Sequence, residues 1–194
     1  MSGFSTARQK MVDGQVRPSD VTDIRIIDAM LAVPREAFVP DNKRALAYLD
    51  LDLDVTEAGS ARRFLIKPAV LARMLQAAEI KETDHVLVVG CANGYAAAVI
   101  GHFAGKVTNA AAADGDAANA PFDVIVLNGA TEIVPEKLCG QLRDGGRLVG
   151  VFAMSQPARA TIVTRSHGDF GNRALFDAAA PVLAGMERLP AFVF

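Results

Sequence analysis

The sequence predicts an α/β fold: an open, mostly parallel sheet with flanking helices and an antiparallel edge near the C-terminus. Three observations carry that expectation. Short apolar runs at 86–89, 122–127 and 147–152 alternate with helix-length segments, the order that builds a parallel sheet with helical crossovers. The first run breaks into a glycine-punctuated turn, Gly90-Cys91-Ala92-Asn93-Gly94-Tyr95, followed by alanine-rich helical sequence. Open α/β sheets form ligand pockets in this way, because glycines let the backbone approach a ligand at the carboxyl end of a strand. Finally, 194 residues with 51% hydrophobic content suffice for one buried core.

The elements follow in order. Thr22 or Asp23 caps a helix whose Ile24, Ile27, Met30 and Leu31 share a face, and Pro34 ends it. Pro68 sits in the favoured first turn of a second helix that turns Val70, Leu71, Met74, Leu75 and Ala78 inward. Residues 86–89 are apolar on both faces and read as a central strand. A helix over 95–104 with Gly105 as its C-cap follows, then a buried strand at 122–127 and a helix over 135–142. Asp144-Gly145-Gly146 turns into a strand at 147–152, with which 160–164 pairs across a loop containing Pro157. Residues 191–194 offer a last edge strand, and 170–189 read as a loop with a short helix. The whole is one domain over 1–194, with an N-terminal helical region (1–80) and a sheet core (81–194).

One stretch resists this scheme. Residues 108–120 are polar and alanine-rich, without the apolar content of a buried strand, and a parallel crossover alone takes about a dozen residues. Two explanations stand: a true deletion that leaves one side of the sheet bare, or a segment missing from the sequence within 108–120. The second is favoured, because an uncovered apolar edge invites aggregation.

Composition excludes several classes. A formal charge of -2 offers no basic field for nucleic acid or anionic lipid. No run reaches the roughly 18 apolar residues of a membrane span, and residues 1–10 contain no apolar leader core, so a cytoplasmic protein is expected. Cys91 and Cys139 are too few for a disulfide framework and read as small buried hydrophobes. His85, His102 and His167 fall at no ligand spacing, so no metal site is expected.

Ordered motifs give the chain a family resemblance over most of its length, to about Val151. Met11-Val12-Asp13-Gly14-Gln15-Val16-Arg17, Val33-Pro34-Arg35-Glu36-Ala37-Phe38-Val39-Pro40, Ala47-Tyr48 with Asp50, the glycine turn, 121–126, Val134-Pro135-Glu136, Gln141-Leu142 and 145–149 occur in sequence. In this the chain resembles the protein-L-isoaspartate O-methyltransferases, S-adenosylmethionine-dependent enzymes with a Rossmann-like sheet. The resemblance implies methyl transfer to the free carboxylate of isoaspartyl residues in damaged proteins or peptides, with S-adenosylmethionine as cofactor. It places the cofactor on the glycine turn, Gly90, Cys91, Ala92, Asn93 and Gly94, with Tyr95 opening the helix against it; Tyr95 reads equally as packing under that helix. Asn128, at the carboxyl end of the second strand, points at the same crevice and is a candidate to meet cofactor or substrate carboxylate, or equally a helix or turn cap.

Three departures from the family pattern bear on the chemistry. Aligned on Pro68, the position of the family's active-site serine is Ile66, so the catalytic residue is unknown; losing such a donor costs about 10²–10³ in rate where it stabilises developing charge. Phe64, Leu65 and Ile66 read more simply as packing residues, with Ser60 or Lys67 as substitute polar groups. Val88 stands where such enzymes place an acid for the methionine ammonium group. No strand-end acid for the ribose is visible, and Asp114 and Asp116 read as solvated loop carboxylates. These departures keep open an alternative reading, a non-catalytic binding or interaction module with a partly filled pocket. A different methyl acceptor is a third.

Overall fold

The computed structural model describes residues 3–56, 59, 60, 62–91, 94–111 and 113–189. The N-terminal region contributes α1 (Gly3–Met11), which continues through a wider helical turn, Val12–Val16, and α2 (Ile24–Ala32). The Asp23 side chain accepts the Arg25 N–H to cap α2, and Val33, extended before Pro34, ends it. Its buried face is Ile26, Ile27, Ala29 and Met30, whereas Ile24 is 58% exposed. The expected stripe is thus rotated, because the first residue after the cap looks outward.

A short antiparallel ribbon, β1 (Leu53–Asp54) with β2 (Phe64–Leu65), leads into α3 (Pro68–Ala78), which buries Leu71, Ala72, Met74, Leu75 and Ala78. The main sheet comprises β3 (His85–Val89), β4 (Lys106–Ala110), β5 (Phe122–Thr131), β6 (Leu142–Phe152), β7 (Arg159–Ser166) and β8 (Asp169–Asp177), in the spatial order β4-β3-β5-β6-β7-β8. The first four are parallel, and β7 and β8 are antiparallel to their neighbours. Two short helices, α4 (Tyr95–Ile100) and α5 (Glu136–Cys139), lie in the connections.

Strand alternation splits the core between two faces. Val86, Val88, Val124, Val126, Val149 and Val151 meet α1, α2 and α3 on one face; Leu87, Val89, Ile125, Leu127 and Leu148 meet Phe122, Leu138 and Met186 on the other. Arg147 couples the layers. Its guanidinium pairs with the buried Asp84 carboxylate at 2.8 Å and donates to the carbonyl ends of α3 at Ala78 and Glu79.

Several expectations are corrected. The stretch read as too polar for a strand begins with β4, which pairs with β3 from His85↔Lys106 to Val89↔Ala110. An edge strand needs little apolar content, and only Ala110 of β4 is buried. The central strand therefore has neighbours on both sides, and the bare apolar edge does not arise. Helix α4 stops at Gly101 rather than Gly105, and α5 spans four residues, since β6 already begins at Leu142. The Asp144-Gly145-Gly146 turn is a bulge inside β6, with Gly145 at φ +77° and a register shift between Phe122 and Val124 of β5. Residues 169–177 form β8 rather than loop and helix, joined to β7 by a two-residue turn, His167-Gly168, with both φ positive. The edge strand read at 191–194 lies outside the described residues.

Candidate active site

At the carboxyl ends of β3 and β5 the chain opens a cavity of about 270 Å³, lined among others by Gly90, Cys91, Asn128 and Leu183. This is the crevice where open parallel sheets take ligands. Gly90 leaves β3 at φ +73°, a backbone region costly to residues with a Cβ, and its N–H donates to the Ala110 carbonyl of β4 (2.9 Å). A Cβ on Gly90 would lie 2.3 Å from Leu183 Cδ2, so a side chain there would also have to displace Leu183.

Asn128 is buried in β5, and its Nδ2 donates to the Gly90 carbonyl (3.2 Å) and the Phe64 carbonyl (3.3 Å). Both partners are acceptors, so the amide nitrogen must face them, and Oδ1 is the end left to accept from a ligand. Asn128 thereby fixes the glycine turn against β2 rather than capping a helix. The Cys91 thiol is buried and its pKa is pushed up by that burial, which keeps it protonated and unreactive.

The remaining expected residues fall elsewhere. Gly94 heads α4 at φ +87°. Tyr95 does not line the cavity: its ring meets Phe38 edge-on at 5.6 Å between centroids, and the Arg35 guanidinium lies 4.8 Å from its centroid. Burial of an aromatic against a cation and a second ring outweighs exposure in a crevice. Ala92 and Asn93 lie outside the described residues. Among the described residues, no cluster of three or more His, Cys, Asp or Glu could hold a metal ion.

At the position aligned with the family's serine, Ile66 is buried, and its carbonyl accepts from Arg35 Nη2 (2.9 Å). Arg35 Nε also donates to the Ala47 carbonyl (2.7 Å), so one buried guanidinium ties two separate segments together. The Lys67 N–H donates to Asp52 Oδ1, and burial pushes the Asp52 carboxyl above its usual range. Val88 packs inside the core. Asp114 pairs with Lys137 at the surface and Asp116 caps the turn at Ala117–Asn119, so neither reaches the cavity.

Two features escaped the sequence reading. Residues 181–186 lie across the crevice as a strap: Ala130 N–H donates to the Pro181 carbonyl, Leu183 N–H to the Ala130 carbonyl, and Glu132 N–H to the Met186 carbonyl. Leu183 covers Gly90 and Gly129, and a Cβ on the latter would lie 2.6 Å from Leu183 Cδ2. Arg62 and Arg63 stand on the rim of the cavity. A second, larger groove of about 680 Å³ lies beside the carboxyl end of β6, between α5 and the β6–β8 flank, with Phe152, Met154 and Phe170 in its lining.

Comparison with known proteins agrees with this geometry. The family profile described as protein-L-isoaspartate(D-aspartate) O-methyltransferase matches residues 6–114 and 106–170, two stretches that overlap at 106–114. A protein-L-isoaspartate O-methyltransferase of Rhodopseudomonas palustris is 35% identical over 206 residues, covering 91% of this chain and 93% of the relative. That of a Roseiflexus species is 34% identical, covering 86% of each. Among solved structures, a protein-L-isoaspartate O-methyltransferase superposes with a TM-score of 0.77 at 20% identity; it is matched by 92% of this chain, which spans 66% of that chain. A Plasmodium falciparum protein described as a protein-L-isoaspartate O-methyltransferase in complex with S-adenosyl-L-homocysteine gives 0.72 at 13% identity, covering 94% of this chain and 99% of that one. The similarity spans sheet, helices and glycine turn together, and the chain belongs to the protein-L-isoaspartate(D-aspartate) O-methyltransferase family.

Proposed function

We propose that the chain transfers a methyl group from S-adenosylmethionine to the carboxylate of isoaspartyl residues in damaged proteins and peptides. The observation that carries this reading is the Gly90 turn at the carboxyl end of β3, which lines the cavity with backbone that has no Cβ of its own and is covered by the Leu183 side chain. When bound, S-adenosylmethionine supplies a methyl group on a positive sulfur, which an ionised carboxylate can take without help from a general base. The cradle fits such a group by backbone: Gly90 and Cys91 would hold it, with Asn128 Oδ1 as a side-chain acceptor.

The chain's own contribution is position and dryness. Asn128 locks the glycine turn to β2, and the Arg35 bridge holds the backbone at Ile66 in place. Phe64, Val89, Val182 and Leu183 give the cavity apolar walls, which strip water from the reacting carboxylate. Ile66 offers no hydroxyl, so the acceptor is oriented by other groups. No described helix is long and apolar enough to cross a membrane, and action on proteins of the cytoplasm accords with that.

The test is methyl transfer by the full chain from methyl-labelled S-adenosylmethionine to a synthetic isoaspartyl peptide, with the aspartyl peptide of the same sequence as control. The expected result is base-labile methyl ester on the isoaspartyl peptide alone. Incorporation equal to the control contradicts the reading and favours a non-catalytic module.

A further inference from the structure

Among the described residues, the charged side chains lining the cavity are Arg62 and Arg63, with no carboxylate beside them in the lining. Among the described residues neither guanidinium has a hydrogen bond or an ion pair. Asp54, held below the usual carboxylate range chiefly by the Thr56 hydroxyl and N–H, feels Arg62 only as a weaker influence. The backbone that carries Arg63 is fixed on both sides. Its N–H donates to Thr56 Oγ1 (2.9 Å), its carbonyl accepts from Val55 (2.9 Å), and the next carbonyl, of Phe64, accepts from Asn128. The permanent positive charge of Arg63 is therefore carried at the mouth of the crevice by fixed backbone, with Arg62 next to it, and no described carboxylate pairs with either guanidinium.

The carboxylate that reacts is a poor partner for them. A guanidinium fork takes one lone pair on each oxygen of a carboxylate and draws charge from both, which weakens the nucleophile that must reach the methyl group. Its charge also vanishes on esterification, which would leave the guanidinium beside a neutral ester. A second carboxylate next to the reacting one keeps its charge throughout and meets the arginines before, during and after transfer.

We propose that Arg62 and Arg63 select acidic acceptors, namely isoaspartyl segments that carry an aspartate or glutamate beside the residue to be methylated. This rests on the methyl-transfer reading above and names the acceptor class of that same site.

The experiment uses the full chain and three isoaspartyl peptides that differ only in the adjacent residue, Glu, Gln or Lys. It measures kcat/KM with S-adenosylmethionine, and separately the anisotropy of the fluorescein-labelled peptides on binding. The Glu peptide is expected to exceed the Gln peptide by about fivefold in both readouts, with the Lys peptide lowest and the spread shrinking in high salt. R62Q/R63Q loses the discrimination; if that variant does not fold, R62Q and R63Q separately each reduce it. Equal values for the Glu and Gln peptides, or a preference that survives in the folded variants, overturns the proposal. Absence of methylation on all three peptides defeats the methyl-transfer reading instead, and the anisotropy then still decides charge selection.

Discussion

Arg35 shows how much one side chain can organise here. It is buried, its guanidinium is stacked on Tyr95, and it donates to carbonyls twelve and thirty-one residues further along the chain. Arg35→Met keeps the volume but strands two buried carbonyls, so unfolding in urea is expected to show a loss of about 3 kcal/mol. A loss below about 0.5 kcal/mol would mean that the bridge is incidental. Leu183 acts on the cavity itself. Leu183→Ala removes the atoms that cover Gly90 and Gly129, and is expected to tighten S-adenosylhomocysteine binding about threefold while costing about 1–2 kcal/mol of stability. Weaker binding in a stably folded variant would show that Leu183 contacts the ligand rather than crowding it. The sequence displayed the glycines and Asn128 as site candidates, because strand-end position and residue type are visible in one dimension. It could not display Tyr95 turning into the core, since that depends on Phe38 and Arg35 arriving from a distant segment.

At the scale of elements, buried and periodic segments were legible and edge segments were not. Helix α3 and strands β3 and β5 declare themselves because burial on one or two faces imposes an apolar pattern. Strands β4 and β8 lie at the two edges of the sheet, where little is buried and the pattern fades; β8 is exposed over most of its length. The strap at 181–186 is held largely through its backbone, which leaves almost no trace in residue type. Pairing of β3 with β4 carries a pH dependence. The His85 ring packs on Phe122 and bonds Thr108 of β4, and burial, then Lys106, pushes its pKa below the usual 6.5. The folded chain thus binds this proton less readily than the unfolded one, so stability is full above about pH 6.5 and falls as pH drops toward the folded value. Thermal midpoints between pH 7 and pH 5 should decline, and His85→Gln should flatten that decline; an unchanged slope in the variant assigns it to other groups.

For the molecule as a whole, sheet order and chemistry converge on one crevice. Four parallel strands present their carboxyl ends together, the glycine turn rises from the second of them in space, and a distant strap closes over it. Family membership and fold were both written in the order of motifs along the chain. The acceptor side was not, because Ile66 replaces the expected hydroxyl and the rim arginines belong to no motif the sequence announces. The proposed methyl transfer depends on the Gly90 turn holding the adenosyl cofactor. Calorimetric titration of the full chain with S-adenosylhomocysteine tests it most directly, beside Gly90→Val, whose side chain would meet Leu183 in a strained backbone. Binding in the micromolar range that is lost in the folded variant is expected; no heat of binding to the unaltered chain, or equal binding to both, means that the cofactor does not sit on the Gly90 turn.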